Sequence, residues 1–292
     1  MVSLLFSSPK NQSLSRKVNH EIMRRFLFFR VILIGLSLNG LWAQTNPSES
    51  PIRVVSPKMS PDNSEALKQL PFKLFVPVND AGAQLNEQIS SKRLLIFLHG
   101  SGERGSDNKA QLTHGKTFFE RLAKDQNTLV LVPQCPELLS WHNGYSQNTK
   151  HGRKYHYPKK RKPNHVLDLL ERLIDSVALA EQIDSRNILV GGLSMGGMGT
   201  LELLRRRPNF YARAFVICGG AHPAIARQIG QTPIWFFHGL DDDIVVPKYA
   251  RKIYRKLNRK GINTKLTLYP GVHHNSWDLA FEDQELIPWL MD

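Results

Sequence analysis

Cysteine is almost missing from this chain: Cys135 and Cys218 are the only two in 292 residues. That excludes a scaffold stapled by several disulfides, and no Cys/His set has the spacing of a metal centre. Each cysteine follows a predicted strand, and the two strands are not expected to be neighbours, so both read as small buried thiols. Internal repeats are absent too. Acid is missing locally, with none between Glu137 and Asp168, while Lys150, Arg153, Lys154, Lys159, Lys160, Arg161 and Lys162 crowd the same stretch. Such a run is one signature of nucleic-acid binding. Pro158 and Pro163, with no stacking aromatics beyond Tyr155 and Tyr157, favour a solvated surface loop over that reading. Its charge is suited to attracting an acidic polymer or an anionic surface.

No apolar run is long enough to span a membrane comfortably. The nearest, residues 26–36, is interrupted by Arg30. It is preceded by Met23-Arg24-Arg25 and followed by Leu41-Trp42-Ala43-Gln44. A basic start, an apolar stretch and small residues describe a secretory signal peptide over 1–43, cut after Ala43. Residues 1–22 are polar and patternless, which also suits translation from Met23. The expectation is an exported protein, periplasmic or extracellular, with no stable membrane span after cleavage. Residues 1–43 carry six Lys/Arg and one acid, so the net charge of +14 falls to about +9 without them.

Residues 44–69, rich in Ser, Pro and Asn toward their start, read as a flexible linker. Strand-like runs then recur at 72–76, 94–98, 129–132, 188–190, 214–217, 234–237 and 265–269. Several are continuously apolar, as parallel strands buried on both faces must be. Between them lie helical patterns, including 166–180 behind a capping Asn164 and 249–257, basic on its outer side and stopped near Gly261. Alternating strands and helices predict one α/β domain over 70–292, a mostly parallel central sheet flanked by helices. A basic insert, 137–163, is expected to cover the site.

The chemistry starts where residues 187–190 run into Gly191-Gly192-Leu193-Ser194-Met195-Gly196-Gly197. This is a G-x-S-x-G turn that lifts the Ser194 hydroxyl above the sheet edge at a helix N-terminus. A serine needs a base, and the base needs an acid to orient it. One later strand enters His238-Gly239-Leu240-Asp241-Asp242-Asp243, and the last enters Gly271-Val272-His273-His274-Asn275-Ser276-Trp277. The order Ser, Asp, His is that of α/β-hydrolase triads, and carboxyl ends of parallel strands share one edge. Backbone donors for an oxyanion are expected from Met195 N–H and from the turn after 94–98, with Ser101 first and Gly102 second.

These motifs, with Leu98-His99-Gly100-Ser101-Gly102-Glu103-Arg104-Gly105, Pro133-Gln134-Cys135-Pro136 and Cys218-Gly219-Gly220, resemble the α/β-hydrolase esterases. More narrowly, the chain is similar to the secreted branch near polyhydroxybutyrate depolymerases and dienelactone hydrolases, often labelled predicted peptidases or phospholipase/carboxylesterases. The resemblance covers roughly 70–292. It implies ester hydrolysis through an acyl-enzyme without a cofactor or metal, on a small or polymeric ester, with Ser194 as nucleophile and His274 as general base. The family's spacing from His-Gly selects Asp242 as the acid, while counting back from Val246-Pro247 selects Asp243; Asp242 is preferred because the strand end fixes register. His273 reads as a rim residue, and Asp241–Asp243 is not expected to bind a cation. His99 and His238 read as structural, and Glu103, Arg104 and Asp107 as pins of the oxyanion loop. Trp141 and Trp277 stay open between pocket lining and packing. A peptidase of the same fold is the nearest alternative, and a non-catalytic surface-binding protein the more distant one. Oligomeric state is not legible.

Overall fold

The computed structural model of the protein describes residues 52–55, 70–77, 92–150 and 152–292. The expected signal peptide lies outside them. Eight strands form the central sheet: β1 (Ile52–Val55), β2 (Phe72–Pro77), β3 (Arg93–Leu98), β4 (Thr128–Pro133), β7 (Ile188–Leu193), β8 (Arg213–Ile217), β9 (Ile234–Gly239) and β10 (Thr264–Tyr269). A two-stranded ribbon of β5 (Tyr145–Thr149) and β6 (Gly152–His156) stands apart from them. The sheet order is β1-β2-β4-β3-β7-β8-β9-β10. From β4 to β10 every pairing is parallel, whereas β2 runs antiparallel to both β1 and β4. Among the described residues the α-helices are α1 (Lys116–Gln126), α2 (His165–Ala180), α3 (Met195–Arg206), α4 (Lys248–Asn258), α5 (Trp277–Glu282) and α6 (Leu286–Met291).

All seven expected strands form, each within a few residues of the predicted limits. Their apolar continuity has the predicted cause, since residues 94–98 and 129–132 are fully buried between helical layers. Asn164 caps α2 as expected, its Oδ1 accepting from Leu167 N at 3.1 Å. That helix buries Val166, Leu169, Leu170, Ile174 and Val177 along one stripe, with Leu173 half-buried. On α4 only Ala250, Ile253 and Leu257 face inward, leaving its cations outside. Phe97 of β3 meets Phe119 of α1 at 4.8 Å and Phe281 of α5 at 5.7 Å between ring centres, and these contacts help hold one face of the sheet.

Two expectations need correction. The stretch 44–69 contains an element: β1 pairs with β2 from Ile52↔Pro77 to Val55↔Leu74, and Val55 is buried. The basic stretch is more than a loop, because β5 and β6 pair from Tyr145↔His156 to Thr149↔Gly152. All five β5 residues are exposed, so the ribbon has no core of its own and depends on contacts with the rest of the domain. Both cysteines are buried and free. Among the described residues no helix is long and apolar enough to cross a membrane.

Candidate active site

Ser194 ends β7 and opens α3 with φ +51° and ψ −115°, a strained conformation for a residue with a side chain. The surroundings hold it there. Ser194 N donates to Ile217 O at 2.9 Å, and Ser194 O accepts from Met198 N at 3.0 Å. The flanking glycines are set by closeness: a Cβ on Gly196 would fall 1.8 Å from Leu98 O, and one on Gly192 would fall 2.6 Å from the Gly196 carbonyl. β3 therefore lies against the start of α3, which only glycine permits.

The loops after β9 and β10 are tied together beside this turn. Leu240 N donates to Tyr269 O at 2.9 Å and Asp241 N to Val272 O at 3.0 Å. A Cβ on Gly239 would lie 2.2 Å from both Val272 O and His273 O. His274 Nδ1 stands 2.8 Å from Asp242 Oδ2, and His274 Nε2 stands 2.9 Å from Ser194 Oγ. Because Nδ1 faces a carboxylate, it carries the proton, and Nε2 is left to accept from the serine.

Of the three consecutive acids, Asp242 is buried whereas Asp241 and Asp243 are exposed. Asp242 Oδ1 accepts from Ile244 N at 3.0 Å and Val245 N at 2.9 Å. Burial works against its charge, but hydrogen bonds from His238, His274 and Val245 and the charge of His274 outweigh that and hold the carboxyl well below the usual range. The sequence assigned His238 a structural role; in the fold its Nε2 also lies 3.1 Å from Asp242 Oδ2. His273 is exposed at the rim. Trp277 sets its ring edge-on to His274 at 5.6 Å and packs against His114 at 4.8 Å.

The turn after β3 abuts the nucleophile, since a Cβ on Gly100 would sit 3.7 Å from Ser194 Cβ. Ser101 is the first residue of a short 3-10 turn, Ser101–Glu103, and is exposed. His99 braces this turn: its Nδ1 donates to Gly100 O at 2.6 Å while its Nε2 accepts from Cys135 N at 2.9 Å. Burial, against the pull of the Gly100 bond, lowers its pKa to about 4, so the ring is neutral. The expected pins are in place. Asp107 Oδ1 accepts from Lys109 N, Ala110 N and Gln134 Nε2, and Arg104 Nε donates to Ser101 O. Glu103 Oε1 lies 3.6 Å from His114 Nε2.

The insert is anchored by residues whose role the sequence left open or did not disclose. Trp141 is fully buried against Gly199, so it packs rather than lines a pocket. Tyr157 stacks on Tyr155 at 5.6 Å, meets Tyr249 edge-on at 5.2 Å, and directs its hydroxyl to Met198 Sδ at 3.7 Å. Arg205 of α3, paired with Glu202 at 2.7 Å, donates to Pro158 O and Lys160 O. The insert thus rests on α3, directly behind the nucleophile. Among the described residues no group of three or more His, Cys, Asp or Glu could hold a metal ion.

A serine, an imidazole and a carboxylate in this order on a mostly parallel sheet define an α/β-hydrolase. Residues 85–285 match the Phospholipase/Carboxylesterase family, and the chain belongs to it. It is a carboxylic ester hydrolase. Among curated proteins it is similar to a probable carboxylesterase (SOBER1-like) of Arabidopsis thaliana, 24% identical over 73% of this chain and 83% of that protein. It is also similar to lysophospholipase-like protein 1 of Mus musculus, 26% identical over 68% of this chain and 85% of that one. Among solved structures, a thermostable esterase superposes with a TM-score of 0.62 at 30% identity, over 86% of this chain. The chain spans 62% of that structure's length.

Proposed function

We propose that the chain hydrolyses carboxylic esters through an acyl-enzyme on Ser194. His274 takes the serine proton while Asp242 fixes its tautomer and stabilises the imidazolium that forms. Ser194 Oγ attacks the ester carbonyl, and the developing oxyanion is received by Met195 N–H, which has no intrahelical partner at the first position of α3, and by Ser101 N–H. His274 then protonates the leaving alcohol, and water releases the acid by the reverse route. The observation that carries this reading is the unbroken hydrogen-bonded line from Ser194 Oγ through His274 to Asp242, at 2.9 and 2.8 Å. The substrate is a small-molecule ester or an ester borne on a polymer. Paired ester and amide substrates with the same acyl group test the class: efficient ester turnover with negligible amide cleavage is expected, and comparable rates on both would make the protein a peptidase.

The 23–44 pattern supports export to the periplasm or the outside, without a stable membrane anchor. The basic insert supports attraction to an anionic surface or acidic polymer. A second acid-free basic run, on α4, comes near it: Lys159 of the insert and Lys252 and Lys256 of α4 all act on His222, which burial first and these charges next push below its usual pKa. A nucleic acid is not the partner this arrangement favours.

A further inference from the structure

We propose that His238 is a second imidazole on the triad acid, a positioning residue that sets how much carboxylate charge His274 meets. This rests on the reading of Asp242 and His274 above. His238 is fully buried near the end of β9. Its Nε2 lies 2.6 Å from Val245 O and 3.1 Å from Asp242 Oδ2. Both neighbours are acceptors, so Nε2 carries the proton and is shared between them. Asp242 Oδ2 therefore faces two imidazole N–H groups, from His238 and His274, while Oδ1 takes the N–H groups of Ile244 and Val245. Val245 closes the ring: its N–H binds the carboxylate and its carbonyl binds His238.

His238 Nδ1 is buried with no hydrogen-bond partner. His99, the other histidine that precedes a glycine at a strand end, uses both of its nitrogens to brace a loop. His238 instead leaves one nitrogen idle at a cost in stability, and its Nε2–H lies between Val245 O at 2.6 Å and the triad acid at 3.1 Å. A donor on Oδ2 draws off part of the negative charge that stabilises protonated His274. Without it, more of that charge falls on His274 and the imidazolium is favoured, so the acid limb of kcat/KM moves to higher pH. The other groups near this centre remain in place. Cys218, Tyr155 and Tyr157 feel the Asp242 charge, Asp241 and Asp243 flank it in the solvent, and His114 with Glu103 lie beyond Trp277.

The test is the pH profile of kcat/KM on a soluble aryl ester for the wild type, His238→Leu and His238→Gln. In His238→Leu the acid limb should rise by about half a pH unit or more. In His238→Gln, whose amide N–H reaches toward the same oxygen, it should stay near the wild-type value. An unshifted or lowered limb in folded His238→Leu overturns the proposal. Should that variant fail to fold, imidazole nitrogen NMR of the wild type decides. A proton resident on His238 Nε2, with a shift that moves across the acid limb of the activity profile, is expected; a proton on Nδ1 contradicts it. Loss of the proposal would leave Asp242→Asn inactive, whereas failure of the triad reading would leave Asp242→Asn active.

Discussion

The triad loops and the basic insert are built by opposite means. Ser194 and Asp242 follow the ends of buried parallel strands and His274 follows the half-exposed edge strand β10, so their positions are set by sheet register and by a few local bonds. Asp242 has both carboxylate oxygens occupied within this edge, by two backbone N–H groups and two imidazoles. The insert has almost no interior. Its ribbon is held by side chains reaching from elsewhere, such as Tyr249 Oη, which accepts from Tyr155 N and donates to Tyr155 O, and Arg205 under Pro158 and Lys160. Chemistry here needs fixed geometry and is placed on rigid elements; the covering segment needs only a few anchors and leaves its charge to the solvent.

The largest expected break in this contrast lies at the triad acid. Asp242→Asn should lower kcat on an aryl ester by about 10⁴, because the amide no longer holds the productive tautomer. Asp243→Asn, one residue along and exposed, should stay within about twofold of wild type. Steady-state kinetics on both variants checks the pair, and the reverse pattern would move the acid to Asp243. At the insert the strong effect should be on stability. Arg205→Ala leaves Glu202 buried without its cation and should cost about 3 kcal/mol or more in denaturant melts. Hydrogen exchange should then show lost protection in residues 152–162; unchanged protection there would mean that Arg205 does not anchor the insert. The smallest effect concerns the outer charges. Replacing Lys159, Lys252 and Lys256 by Gln should weaken salt-sensitive retention on acidic glycans while leaving soluble-ester turnover within about twofold.

The same contrast explains what could be read in advance. The G-x-S-x-G turn and the His-Gly-x-x-Asp loop stand beside apolar runs that mark buried strands, and His274 follows an alternating edge strand, so both the sheet and the candidate site residues were legible. Counting from the strand end singles out Asp242 among the three consecutive acids, and it is the one of them that is buried. The ribbon was not legible, because its partners are distant in the chain: Arg205 is 47 residues from Pro158 and Tyr249 is 94 from Tyr155. β1 was missed for a related reason. Four residues beside Ser and Pro carry little strand signal, and only pairing with β2 makes them an edge. His238 read like His99, a histidine before a glycine, and the i,i+4 spacing to Asp242 was the available clue. Oxyanion donors are backbone groups, so sequence points to them only through the small residues nearby.

The nucleophile itself is the decisive position, probed by assaying Ser194→Ala on a short-chain aryl ester beside a thermal melt. Turnover should fall by a factor on the order of 10⁶ with the fold retained. A folded Ser194→Ala protein that keeps its esterase activity would contradict the assignment of Ser194 as nucleophile.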